Sequence, residues 1–165
     1  MLPMPTAKYE MTDKQSAEAG EVVVFGRVNF VEEGKELSWA GSQPGKECHV
    51  VLVNEATSKA EAYYLKGYGS FYWHLPPGKY EITGFTWVTA LTLTGRMLAE
   101  FTISPEQQPT YIGTLVVSFP KGRFGGGYSL MISDEYDQAV AALRTRYPAL
   151  QGAPVKRLMQ LGDNR

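Results

Sequence analysis

Cysteine occurs once in this 165-residue chain, at Cys48, which excludes an internal disulfide and any zinc site built from several thiolates. Aspartate is nearly as scarce: Asp13, Asp134, Asp137 and Asp163 are the only four, and none lies between residues 14 and 133. A Ser–His–Asp triad or an Asp-rich calcium loop has little to be built from there. No Gly-x-Ser-x-Gly elbow stands in for it. Cationic excess is also missing, with 16 Lys+Arg against 17 Asp+Glu and a net charge of −1. That balance argues against broad electrostatic capture of nucleic acid. No stretch approaches the roughly 20 apolar residues of a bilayer span. The first twenty residues mix Pro3, Pro5, Lys8, Glu10, Asp13, Lys14 and Glu18, without the apolar core of a secretory signal. Residues 1–20 therefore read as a disordered leader or an expression remnant.

What is present is β-type patterning. Short segments rich in Val, Ile, Tyr, Phe and Trp fall at 22–31, 49–55, 60–66, 70–75, 79–88, 96–103, 110–119 and 128–133, separated by Gly, Pro and Ser breaks. With no helical pattern between them, parallel βαβ architecture is disfavoured. The expected fold is all-β, an antiparallel β-sandwich of about 7–8 strands over residues 21–133. Residues 134–165 form a short C-terminal helical appendage in this reading. Tyr136, Val140, Leu143 and Tyr147 recur at helical spacing, with Asp134 as N-cap and Pro148 as terminator. A second short helix is expected around Pro154, Val155, Leu158 and Met159, ending at Gly162.

Local chemistry predicts more detail. If Gly67-Tyr68-Gly69 closes a hairpin, Tyr64 faces Tyr72, and Tyr63 faces Trp73 on the other side. Tyr63, Leu65, Phe71, Trp73 and Leu75 then form a core face, while Tyr64, Lys66, Tyr72 and His74 form a wetter one. At Leu75-Pro76-Pro77-Gly78 the residues suit a type II turn, which either splays two strands or carries the chain from one sheet to the other. The apolar phase changes at Gly84, as at a β-bulge.

Twenty aromatic residues make up 12% of the chain, and most are expected to fill the core. Tyr64, Tyr72 and His74 are the candidate binding residues, a platform suited to a sugar ring or a peptide edge. Cys48 and His49, adjacent in a strand, point to opposite faces and cannot chelate one ion together, so no metal site is expected. No cofactor is expected either. Gly67-Tyr68-Gly69 opens a strand rather than a helix, and Gly125-Gly126-Gly127 lacks a following Lys-Ser/Thr, so neither is a nucleotide loop. The tail from residue 144 carries Arg144, Arg146, Lys156, Arg157 and Arg165 against Asp163 alone, and this reads as a solvated surface.

Gly26-Arg27-Val28, then His49 to Asn54, then Gly69-Ser70-Phe71-Tyr72-Trp73-His74-Leu75-Pro76-Pro77-Gly78-Lys79-Tyr80-Glu81-Ile82 follow an order that resembles the transthyretin-like, carboxypeptidase-regulatory-domain-like sandwiches. Thr110 to Leu115 and the tail resemble small bacterial envelope lipoproteins of that fold. The likeness covers residues 21–120 and implies a non-catalytic structural or interaction module of the bacterial cell envelope, periplasmic or associated with the outer membrane. It carries over no catalytic or ligand-binding residue. Cys48 follows Gln43-Pro44-Gly45-Lys46-Glu47, which is not a lipoprotein cleavage site, so membrane attachment would need a lipid anchor outside this chain. A protein or glycan partner is expected and nucleic acid is not. The alternatives are a carbohydrate- or peptide-binding domain using the tyrosine platform, a cytoplasmic location, and an atypical hydrolase using a Glu with His49 or His74.

Overall fold

The computed structural model describes residues 7–8, 20–39, 47–88, 92–106, 108–120, 127–150 and 152–162. In chain order the elements are β1 (Ala7–Lys8), β2 (Val22–Glu32), β3 (Lys35–Glu36), β4 (Glu47–Asn54), β5 (Ala60–Tyr64), β6 (Ser70–Leu75), β7 (Gly78–Val88), β8 (Thr92–Ile103), β9 (Thr110–Phe119), β10 (Ser129–Ser133), α1 (Tyr136–Arg146), β11 (Val155–Lys156) and β12 (Gln160–Leu161). Two sheets face each other. One runs β1-β5-β4-β7-β8-β12; the other runs β10-β9-β2-β3, with β6 also on β2 and β11 also on β9. The all-β sandwich with a short helix is therefore as expected, and most pairings are antiparallel. Three are not: β2 with β9, β11 with β9, and β1 with β5 run parallel. Strand β1 falls inside the stretch expected to be a disordered leader.

The core between the sheets follows from alternation. Val22, Val24, Val28 and Phe30 of β2 point inward against Ile82 and Phe85 of β7 and against Leu115 and Val117 of β9, all nearly inaccessible to solvent. At one end Phe30, Trp39, Phe85, Trp87 and Phe119 pack edge-to-face or stacked, with ring centroids 5.1–6.2 Å apart, the offset and T-shaped geometries aromatic quadrupoles prefer. Cys48 is buried in this core, where loss of hydration pushes its thiol pKa well up and keeps it protonated. The bulge expected at Gly84 is present, as both neighbouring registers slip between Ile82 and Gly84.

Two local readings change. Gly67-Tyr68-Gly69 does not close a hairpin: β5 pairs with β4, and β6 with β2 in the opposite sheet. Tyr63 and Trp73 do meet, with ring centroids 5.0 Å apart, but across the sandwich rather than across a hairpin. The link from Leu75 to Gly78 likewise crosses between sheets, which settles the alternative left open by the sequence.

The second expected helix is also absent. Residues 155–161 are extended, and the N–H groups of Val155, Arg157 and Met159 donate to Pro109, Tyr111 and Ile112. Those three donors recur every second residue, so an open strand edge won over weak helical spacing. Met159 plugs the core at 3% exposure while Leu158 faces solvent.

A second apolar cluster explains where α1 sits. Val23, Phe25, Tyr72 and Tyr111 project from the outer face of the β6-β2-β9 region and would be wet without a cover. Leu143 and Tyr147 of the helical stripe bury themselves there, with Tyr136, Ala139, Val140 and Leu150 around them. Strand β2 is thus apolar on both faces over its first half, which is why Val22-Val23-Val24-Phe25 reads as an unbroken apolar run.

Candidate functional site

The α1 cover is incomplete. Between the first turns of the helix and the outer face of β2, β6 and β9 lies a cleft of about 350 Å³. Its floor comes from a bulge. Phe25 pairs with Tyr111 and Arg27 with Thr114, so β9 inserts one residue more than β2 at this point. Gly113 takes φ 100° there, and a Cβ on Gly26 would stand 2.4 Å from its carbonyl oxygen. The glycine pair lets the two strands touch while the bulge turns Tyr111 and Thr114 to the same outer face.

Polar groups converge on that floor. Thr114, itself buried, donates its hydroxyl to the Glu135 carboxylate just ahead of the helix. The Glu135 N–H donates to the Tyr111 hydroxyl at 2.7 Å. Burial pushes the Tyr111 pKa upward, so it stays a phenol. The Arg27 guanidinium lies between two carboxylates, 3.0 Å from Glu36 and 3.6 Å from Glu135. The hydrogen bond from Arg27 holds the Glu36 carboxyl below its usual range. Arg27 Nε is buried without a hydrogen-bond partner. Ser70 and Gln138 stand exposed at the rim.

The helix start is pinned from its other side. Asp134, expected as the N-cap, stands one residue ahead of it, since the cap position is Glu135; from there it accepts the Tyr136 N–H at 3.0 Å and receives Lys156 at 2.7 Å. The Tyr136 hydroxyl donates to the Pro154 carbonyl. These links fix the height of α1 above the sheet and hence the width of the cleft.

Of the three residues expected to bind, the structure brings only Tyr72 to this cleft. Tyr72 is 5% exposed, with Tyr147 edge-on at 5.3 Å and the Arg146 guanidinium 5.1 Å from its ring centroid. Tyr64 lies on the outer face of the opposite sheet, where it meets His49 at 5.9 Å. Since Tyr63 and Trp73 face each other through the core, their neighbours Tyr64 and Tyr72 must point away from it in opposite directions. The expected tyrosine platform is not formed. His74 shares the face of Tyr72 but is half-buried outside the cleft lining. Burial lowers the pKa of both His49 and His74, favouring neutral imidazoles.

The pattern missed Arg27, Ser70, Thr114, Glu135 and Gln138. One signal was available for Arg27: the outward positions of β2 read Val23, Phe25, Arg27, Asn29, and the change from apolar to polar marks where the cover ends. Among the described residues one carboxylate trio, Glu55, Glu81 and Glu100, has oxygens within 4.8 Å of one another. Lys79 bridges Glu55 and Glu100 at 3.6 and 3.4 Å, so an ammonium already supplies the positive charge there.

The fold defined by these elements is a two-sheet sandwich with a helix-covered outer face. No family model, no curated protein and no solved structure matches the chain. No helix among the described residues is long and apolar enough to cross a membrane.

Proposed function

We propose that this chain is a non-catalytic interaction module of the bacterial cell envelope, as its sequence resemblance implies, and that it takes its ligand in the cleft between α1 and the β2-β6-β9 face. The observation that carries the reading is the cleft itself: about 350 Å³ beside a rigid sheet, in the size range of small-molecule sites. Its two charged groups, Arg27 and Glu135, already face each other at 3.6 Å. Such a pair holds and orients a polar ligand.

The test is amide mapping by NMR with a mixed library of small fragments, run beside a panel of ester, peptide and glycoside substrates. Fragment shifts should concentrate on residues 25–27, 70–72 and 135–142 with no turnover. Shifts concentrated elsewhere, or turnover abolished by replacing His49 or His74, would refute the reading.

A further inference from the structure

The unpaired groups of the cleft define the chemistry it would accept. Arg27 Nε is a buried N–H whose ion-pair partner, the Glu135 carboxylate, stands at 3.6 Å, beyond hydrogen-bond reach. An unsatisfied buried donor of this kind is costly unless a ligand or water fills the position. Glu135, which lines the cleft, uses one carboxylate oxygen both for Thr114 and for Arg27. Ser70 and Gln138 bring a hydroxyl and an amide, each able to donate and accept. The cleft therefore presents both donors and acceptors to a ligand.

Charge narrows the choice. Arg27 is ion-paired with Glu135 in the cleft and with Glu36 beside it, so one guanidinium already serves two carboxylates. The cleft's own pair sums to no net charge, and Arg27 has no spare charge to attract an anionic ligand. A hydroxyl group answers both the donors and the acceptors without bringing charge. Ala139 and Ala142 supply an apolar wall for the C–H face of such a ligand, and Phe25 and Tyr72 an apolar floor. We infer that the cleft binds an uncharged polyhydroxylated ligand, a single sugar ring or the end of a neutral glycan. The inference rests on the binding-module reading above and adds the ligand class. It does not depend on an exposed aromatic plane, since Tyr64 lies on the opposite sheet and Tyr72 is 5% exposed under Tyr147 and Arg146.

The experiment is NMR titration of the isotope-labelled chain with four probes: methyl α-glucopyranoside, N-acetylglucosamine, glucuronate and a capped neutral tripeptide. The two neutral sugars should shift the amides of Gly26, Ser70 and Gln138 with dissociation constants of about 1 mM, as expected for a ligand of a dozen heavy atoms. Glucuronate should bind more weakly than either. Ser70→Ala and Gln138→Ala, both at exposed positions, should each weaken sugar binding about three- to tenfold without changing the melting temperature. Glucuronate binding as tightly as the neutral sugars, or either alanine variant binding normally, would overturn the inference. If the tripeptide or glucuronate alone shifts these amides, the ligand class is wrong and the binding module stands. If none of the four does, the sugar inference fails, and the fragment library decides separately whether the cleft binds anything.

Discussion

Replacing Gly69 with Ala tests the crossing between sheets at its tightest point. Gly69 has φ 91°, a conformation that costs an L-residue about 1–2 kcal/mol. A Cβ there would lie 1.8 Å from the carbonyl oxygen of Val28, a backbone atom of the central strand β2 that cannot rotate away. The contact is held by the hydrogen bond from Val28 N–H to the Gly69 oxygen at 2.9 Å. Separating two backbones against that bond adds about 1–3 kcal/mol of overpacking strain. The expected loss is about 4 kcal/mol, a large share of the 5–15 kcal/mol typical of a domain. Gly67→Ala is the internal control. Its φ is 55°, but a Cβ there meets nothing within 4 Å, so only the backbone term of about 1 kcal/mol applies. Urea unfolding of both variants, followed by tryptophan fluorescence, gives the two values directly. Equal losses would refute the reasoning, because an ordinary hairpin loop would leave both Cβ atoms in solvent.

Three further outcomes follow from the same structure. Glu135→Ala leaves the buried Thr114 hydroxyl without its acceptor and should cost about 1–2 kcal/mol; adding Thr114→Val should cost little more, giving a coupling of about 1 kcal/mol in a double-mutant cycle. Leu143→Ala empties the centre of the outer apolar cluster and should cost about 2–5 kcal/mol, and faster hydrogen exchange in α1 than in β7 would show that the helix loosens first. Burial depresses the folded-state pKa of His49 and His74 below the ordinary 6.5, so the unfolded chain takes up protons first as pH falls. Their contribution is present above about pH 6.5 and is lost on acidification, and the urea midpoint should drop between pH 7 and 5.5. Glu81, whose pKa is raised chiefly by burial, works in the opposite direction, so the histidine part of the slope is the part that replacing His49 and His74 removes. A midpoint that is flat from pH 7 to 5.5, or one whose slope survives the paired His49→Gln and His74→Gln changes, would count against this account.

Strand positions were legible because each depends on a few neighbours. Alternation and turn residues located all eight of the longer strands, and β9 at 110–119 and β6 at 70–75 agree to the residue. Strand partners were not legible. The core faces of β5 and β6 are the same in a hairpin and in a sandwich crossing, since either arrangement turns Tyr63, Leu65, Phe71 and Trp73 inward. Period-2 patterning fixes which face is buried and says nothing about which strand lies alongside. The error for Tyr64 and Tyr72 is therefore one of pairing, and it moved two correctly sided tyrosines to opposite faces of the molecule.

The cleft was harder to foresee for a related reason. Arg27, Thr114 and Glu135 are separated by 87 and 21 residues, and they meet only because β2 and β9 run parallel with an extra residue at Gly113. No local pattern announces that register. The same geometry explains why Arg27 lies under the helix at all. Its inward neighbours Gly26 and Val28 belong to the core, so its side chain must project to the outer face. There Tyr72 and Phe25 already require an apolar cover. A helix that satisfied this cover completely would bury a guanidinium with no route to water, a cost that a single partner does not repay. Leaving the first turns of α1 raised above Arg27, with Glu135 and Glu36 on either side of it, resolves that conflict. The cleft is what remains between an apolar surface that must be covered and a charge that must not be.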